Sequence, residues 1–464
     1  MTSFTVRIGV AVSLLGALCW AFPETTQAAV EAATDTAVSS NGSVGSLSAN
    51  SANSATPTAQ APTTPASTNP VRPLPEKIAA QPPTAAAGIS VARLKRLDAY
   101  LDDLVQDGAL QGAVLTMSRR GQNVLTRAVG WQDADQRTAM PVDAVFDLSL
   151  LTEPVTAAAA LILQEQGKWL LSDPLGRYLP AFKPLPVTAW DALTHTGGLA
   201  DSLRPPRFSA GKFASYARRL HHSLDAAHNF TGERFTESLA AQPLARTPGL
   251  VAERTFSYDL LGLAMEKAGG QTLGAFFLRN LFIPLDMWDT GFNPSASLET
   301  RLVLTAPDEP GELDRPPVRD LRNPVSFECG GACLTGTAVD YLRFATMLLN
   351  EGQADGQRLL SRASATQMTR TQLAPTVENR LPFFAADAAA AARGLGVNIH
   401  TGRPLAGLPL AAGDFGLASP NGSFFWVSPS EQLVVVMLAA AAEPEFTTRM
   451  QRQVIALVYQ SIDD

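Results

Sequence analysis

Three cysteines, five histidines and six lysines are all that 464 residues offer for thiol, imidazole and amine chemistry. Cys19 lies in an N-terminal apolar run, which leaves Cys329 and Cys333 for the rest of the chain. A C-x-x-x-C pair can close a small disulfide in an oxidising compartment, or stay as two buried thiols. A metal centre needs more ligands than that neighbourhood supplies, so neither a metal nor a cofactor is expected. Charged residues make up 17% of the chain and the net charge is −7. That charge content falls below the ~25% of ordinary soluble domains. No basic run is present to bind a nucleic-acid backbone or an anionic membrane surface, which excludes both as expected partners.

What is present falls into three stretches. Residues Met1–Ala29 carry Arg7, an apolar run over Ile8–Phe22 and small residues near Gln27–Ala29, the pattern of a secretory leader. The run is short for a membrane span, so the mature chain is expected to have none. Leu18 is too large for a lipoprotein cleavage site before Cys19. Val30–Ala87 is rich in Ala, Ser, Thr and Pro and reads as a disordered linker, because such a composition cannot bury enough apolar surface to offset chain entropy. Residues 88–464 form the expected folded domain, placed by the leader in the periplasm or cell envelope.

Within that domain, Leu94, Leu97, Leu101 and Leu104 have helical spacing. A hairpin turning at Arg119–Gln122 follows. The stretch Phe146–Phe182 opens with an apolar run and continues as a helix from Val155 to about Gln166, closed by Gly167. Helices are expected over Leu260–Ala268, Leu273–Leu281 and Ala338–Leu349. Strands are expected over Gly422–Val427 and Leu433–Leu438, and a last helix over Thr447–Ser461. Strands at both ends with helices between predict an α+β domain whose antiparallel sheet joins the N- and C-terminal segments around an inserted helical region.

The order of these patterns resembles the class C β-lactamase and penicillin-binding-protein-like serine hydrolases, from about Leu94 to the C-terminus. The segments that carry the resemblance are Phe146–Phe182, LTHTGGL at Leu193–Leu199, the GGACLTG turn with its following helix, and the closing NGSFFWVSPSEQLVVVML hairpin. The resemblance implies a β-lactamase/transpeptidase-like fold and three motifs: a Ser-x-x-Lys nucleophile and base, a Tyr-x-Asn, and a Lys/His-Thr/Ser-Gly strand. Phe146, Thr152 and Pro154 hold the register of the first motif, which puts Leu150 at the nucleophile and Glu153 at the lysine. No lysine falls between Lys95 and Lys168. The gap-free register of the second motif lands on Glu253, Arg254 and Thr255; a deletion would bring Tyr258 to the tyrosine instead. The third motif falls on Gly416–Ser419, with Leu417 in place of the basic residue.

Loss of nucleophile and base together removes most of a hydrolase's rate. The sequence therefore predicts a degenerate member of that family, with a peptidoglycan fragment, a small molecule or a protein as ligand of the former cleft. The alternative is an esterase or peptidase working through Ser149, Glu153 or Tyr258; a scaffold whose cleft is filled by Leu150 and Leu417 ranks third. Other candidates have plainer readings. Ser209–Lys212 is a chance Ser-x-x-Lys, and His221, Asp225 and His228 share a solvated helix face. His195 is expected to make a structural hydrogen bond, Glu153 to stabilise a helix start, and Tyr341 and Arg343 to pack.

Overall fold

Along Leu433–Ala441 every residue up to Ala440 is buried, and alternate residues serve opposite cores. Val434, Val436, Leu438 and Ala440 join one apolar cluster; Leu433, Val435, Met437 and Ala439 join a second. A strand with both faces apolar must lie between two layers. In the computed structural model, which describes residues 85–199, 231–306, 319–381, 391–405, 408–441 and 444–464, it does. The main sheet contains β1 (Leu110–Arg119), β2 (Gln122–Gly130), β3 (Ala391–Arg393), β4 (Asn398–His400), β5 (Phe415–Ala418), β6 (Phe424–Ser428) and β7 (Leu433–Ala441). Its order is β2-β1-β7-β6-β5-β4-β3, and each pairing is antiparallel.

One face carries α1 (Val91–Gln106) and α5 (Pro444–Gln460), joined in the second cluster through Leu94, Leu97, Leu101, Met450 and Val454. The opposite face carries α2 (Thr152–Glu165), α3 (Ser257–Gly269) and α4 (Ala338–Leu349), whose buried residues belong to the first cluster. The α+β class with a sheet built from both chain ends is as the sequence predicts. Helix α2 is buried on all sides from Thr152 to Leu163, as an apolar helix without a polar face must be. The expected leader, most of the expected linker, Ser209–Lys212 and the residues His221, Asp225 and His228 lie outside the described residues.

Several boundaries differ from expectation. Helix α2 begins at Thr152, three residues before the expected Val155, and follows a 3-10 turn over Ser149–Leu151. Pro154 is the reason this is possible: in the first helical turn its missing N–H has no partner to lose. The stretch after Leu273 breaks into an α-turn over Leu273–Phe277 and a π-turn over Leu278–Phe282. Strands β3 and β4 are three residues each and carried no readable alternation. Among the described residues, no helix is long and apolar enough to cross a membrane.

Cys329 and Cys333 form a disulfide, and both are buried. Their loop is fastened to α2 and α3. Thr156 Oγ1 donates to the Gly330 carbonyl at 2.7 Å, the Leu334 N–H donates to Thr152 Oγ1 at 3.1 Å, and the Gly331 N–H donates to Asp259 Oδ1 at 2.8 Å. Thr335–Gly336 then pairs with Phe146–Asp147, so the loop braces the turn that leads into α2.

Candidate functional site

The start of α2 meets three other elements, and its residues set the chemistry of the meeting. Leu150 and Leu417 are 8% and 1% exposed, and both belong to the apolar cluster around α2. Neither side chain has an atom that can attack a carbonyl or carry a proton. Ser149 is half-buried, with φ of 46°, in the left-handed region. Its N–H donates to Asp147 Oδ1 at 2.9 Å. A non-glycine residue held there is strained, and such strain gathers at functional positions.

Glu153 lies in the first turn of α2, as expected of a helix-start carboxylate, and does more than favour the helix dipole. It is 2% exposed, and its carboxylate is used on side chains from elsewhere in the chain. Arg254 Nη1 makes a short ion pair with Oε1, and Arg393 Nη2 donates to Oε2 at 3.0 Å. His195 Nε2 lies 3.3 Å from the same Oε2. Burial alone would raise this carboxyl; the cations beside it, Arg254 foremost and then Arg393, outweigh burial and hold it at about 2. No lysine falls between Lys95 and Lys168 to place a positive charge here, and the fold supplies it with two arginines. Arg393 comes from β3, 240 positions after Glu153.

The tautomer of His195 follows from the same contacts. Arg393 Nη2 stands 2.9 Å from His195 Nε2, and a guanidinium can only donate. Nε2 is therefore the acceptor and the imidazole is neutral, with its proton on Nδ1. Burial pushes the ring down to about 4, against the pull of Glu153. Backbone contacts fix its turn: the His195 carbonyl accepts from the Glu253 N–H at 3.0 Å. The expected structural role of His195 is what the geometry gives, with the ion network added to it.

Tyr258 packs against His195 with the rings tilted by 35° and their centroids 4.9 Å apart, and its hydroxyl donates to the Leu193 carbonyl at 2.9 Å. Burial raises its pKa far above the ordinary phenol range. Glu253 sits apart from the cluster and pairs with Arg246 on the surface. Thr255 Oγ1 is 2.6 Å from Ser257 Oγ. Tyr341 is buried with its hydroxyl donating to the Leu151 carbonyl at 2.8 Å, so it packs as expected. Arg343 differs: it is part-exposed and its long side chain reaches the exposed carboxylate of Asp286 and the buried one of Asp340 on its own helix. Among the described residues, no group of three or more His, Cys, Asp or Glu is placed to hold a metal.

The structure thus brings Glu153, His195, Arg254 and Tyr258 together and adds Arg393, which sequence reasoning missed. Glu253 and Thr255 stay outside the ion network. Each candidate base is compromised by its partners: Glu153 by two cations, His195 by Arg393, Tyr258 by a carbonyl and burial.

The comparisons with known proteins agree on ancestry. The family model described as Beta-lactamase matches residues 97–460. Protein Rv1367c of Mycobacterium tuberculosis is 30% identical over 366 residues, covering 73% of this chain and 88% of the relative. Esterase EstB of Burkholderia gladioli is 29% identical over 285 residues, covering 56% and 71%. Among solved structures, EstCE1, a hydrolase with promiscuous acyltransferase activity, superposes with a TM-score of 0.67 at 23% identity, covering 79% of this chain and 98% of that one. Simvastatin synthase from Aspergillus terreus gives 0.64 at 18% identity, with the same coverage.

Proposed function

Because the chain belongs to the β-lactamase family, we propose that it is a non-hydrolysing member, exported to the cell envelope, that binds a ligand through the former acyl site. The observation that carries this reading is the fate of Glu153. At the position of the family's lysine stands a carboxylate already neutralised by Arg254 and Arg393, one turn after a leucine at the nucleophile position. General-base catalysis needs a group whose pKa lies near the working pH and whose lone pair is free. Glu153 at about 2 and His195 at about 4 fall below that range, and Tyr258 lies above it. The ligand classes that suit an envelope protein of this ancestry are a peptidoglycan fragment, a small molecule or a protein segment. Export rests on the Met1–Ala29 leader pattern.

One observation favours a second reading, an esterase with Ser149 as nucleophile: this half-buried serine is held at positive φ beside the start of α2. A single experiment separates the two. The purified mature protein is incubated with a fluorescent penicillin and with p-nitrophenyl esters, beside Ser149→Ala. The non-hydrolysing reading expects no covalent adduct and no turnover above buffer. An adduct or turnover that disappears in Ser149→Ala overturns it.

A further inference from the structure

We propose that the cluster of Glu153, Arg254, Arg393 and His195 is a binding site for a small monovalent oxyanion, which it takes up beside Arg254. The inference deepens the non-hydrolysing reading by naming the chemistry of the ligand, and it rests on that reading.

The first ground is charge. Two guanidinium groups and one carboxylate are packed together, and the imidazole is neutral because its Nε2 accepts from Arg393. Tyr258 is neutral, with its proton donated to the Leu193 carbonyl. The cluster therefore carries one positive charge in excess, inside the protein. The carboxyl that follows Tyr258 in the chain, Asp259, is pushed by burial up to about 7 and keeps its proton in mildly acid solution. An uncompensated buried charge is costly, and water can solvate it but not cancel it. A bound monoanion cancels it.

The second ground is hydrogen bonding. His195 Nδ1, Arg254 Nε and Arg393 Nε are buried and have no hydrogen-bond partner. All three carry a proton once the tautomer of His195 is fixed as above. Three buried donors of these residues are left unused, and because buried donors are ordinarily satisfied the cluster has capacity for an acceptor. The arginines select the shape: the planar guanidinium fork matches a planar oxyanion better than a spherical ion.

Arg254 gives the way in. Its side chain is 12% exposed, against 3% for Glu153 and 0% for Arg393 and His195. The ligand would share Arg254 with Glu153, so Glu153 acts as a built-in competitor that sets the affinity.

The test uses sodium acetate as the probe, titrated calorimetrically into the mature protein against sodium chloride at equal ionic strength. The wild type is expected to bind acetate saturably and to show no matching response to chloride. Arg254→Gln removes the surplus charge and should weaken acetate binding by about tenfold or more. Glu153→Gln removes the competitor without leaving a hole and should tighten it by a similar factor. The proposal is overturned by a wild type that answers acetate and chloride alike, or by a folded Arg254→Gln with unchanged affinity. If Arg254→Gln does not fold, Glu153→Gln decides: unchanged or weaker acetate binding sinks the idea. Failure here leaves the absence of hydrolysis untouched, whereas turnover by Ser149 removes that reading whatever acetate does.

Discussion

A glutamate stands where lysine is expected and is buried, and the arginines around it explain how the fold tolerates that. Removing one partner of a buried ion pair costs about 3–5 kcal/mol, because the other charge is left uncompensated. Glu153, Arg254 and Arg393 are therefore bound to one another as a set. A neighbouring carboxyl gives a cleaner measurement. Asp259 is 5% exposed, accepts from the Gly331 N–H, and is pushed by burial up to about 7. Its folded pKa lies above its unfolded one of 3.8. The folded state thus holds a proton that the unfolded chain has lost, and stability falls as pH rises from about 4 to about 7. Asn at 259 keeps the shape and can still accept from Gly331 through its carbonyl oxygen. Thermal unfolding from pH 4 to 8 should show Asp259→Asn gaining on the wild type by up to ~1.4 kcal/mol per pH unit within that window, and by nothing further above it. A constant difference across the range would mean that Asp259 is ionised in the fold throughout.

At the scale of elements, hydrogen bonds and close packing together make the disulfide loop a brace for the start of α2. A Cβ on Gly330 would lie 2.4 Å from the Tyr258 carbonyl oxygen, and Thr156 packs against the same place. Gly330→Ala should destabilise the protein by about 1–3 kcal/mol, the usual range for overpacking. Gly291→Ala, whose Cβ meets nothing within 4 Å, should stay within about 0.5 kcal/mol of wild type. Urea midpoints for the two variants check the contrast, and equal losses would remove the bracing role of the loop. The same scale shows what the sequence could say. Helices α1 and α2 and the closing β6–β7 hairpin were readable, because apolar period is a local property. Arg393 was not. It sits on a three-residue strand with no alternation, and its partner Glu153 is reached only when β3 is brought against α2 by the fold. The disulfide was undecided for the same reason: spacing permits it, and the surrounding contacts of Gly330, Gly331 and Leu334 place the two sulfurs together.

Across the whole molecule, the ion network joins four separate pieces of chain: the start of α2, the turn at His195, the segment before α3 and strand β3. The start of α2 is thus tied to the sheet on one side and to the helical layer on the other, and its residues cannot be exchanged one at a time. Writing the family's residues back as Leu150→Ser/Glu153→Lys would set a lysine against Arg254 and Arg393 with no carboxylate among them. Three buried cations would repel one another, and the new lysine would lose its proton or leave the site, so the expected gain in nucleophile activation does not arrive. The double variant should unfold at lower temperature than the wild type, by an amount equivalent to ~3 kcal/mol or more, and should hydrolyse p-nitrophenyl acetate no faster. Adding Arg254→Gln and Arg393→Gln removes the repulsion, and part of the lost stability should return. Differential scanning calorimetry on the three proteins reads this directly. A double variant as stable as the wild type would show that Glu153 does not hold the arginines together, and that the network is a consequence of the fold and contributes little to it.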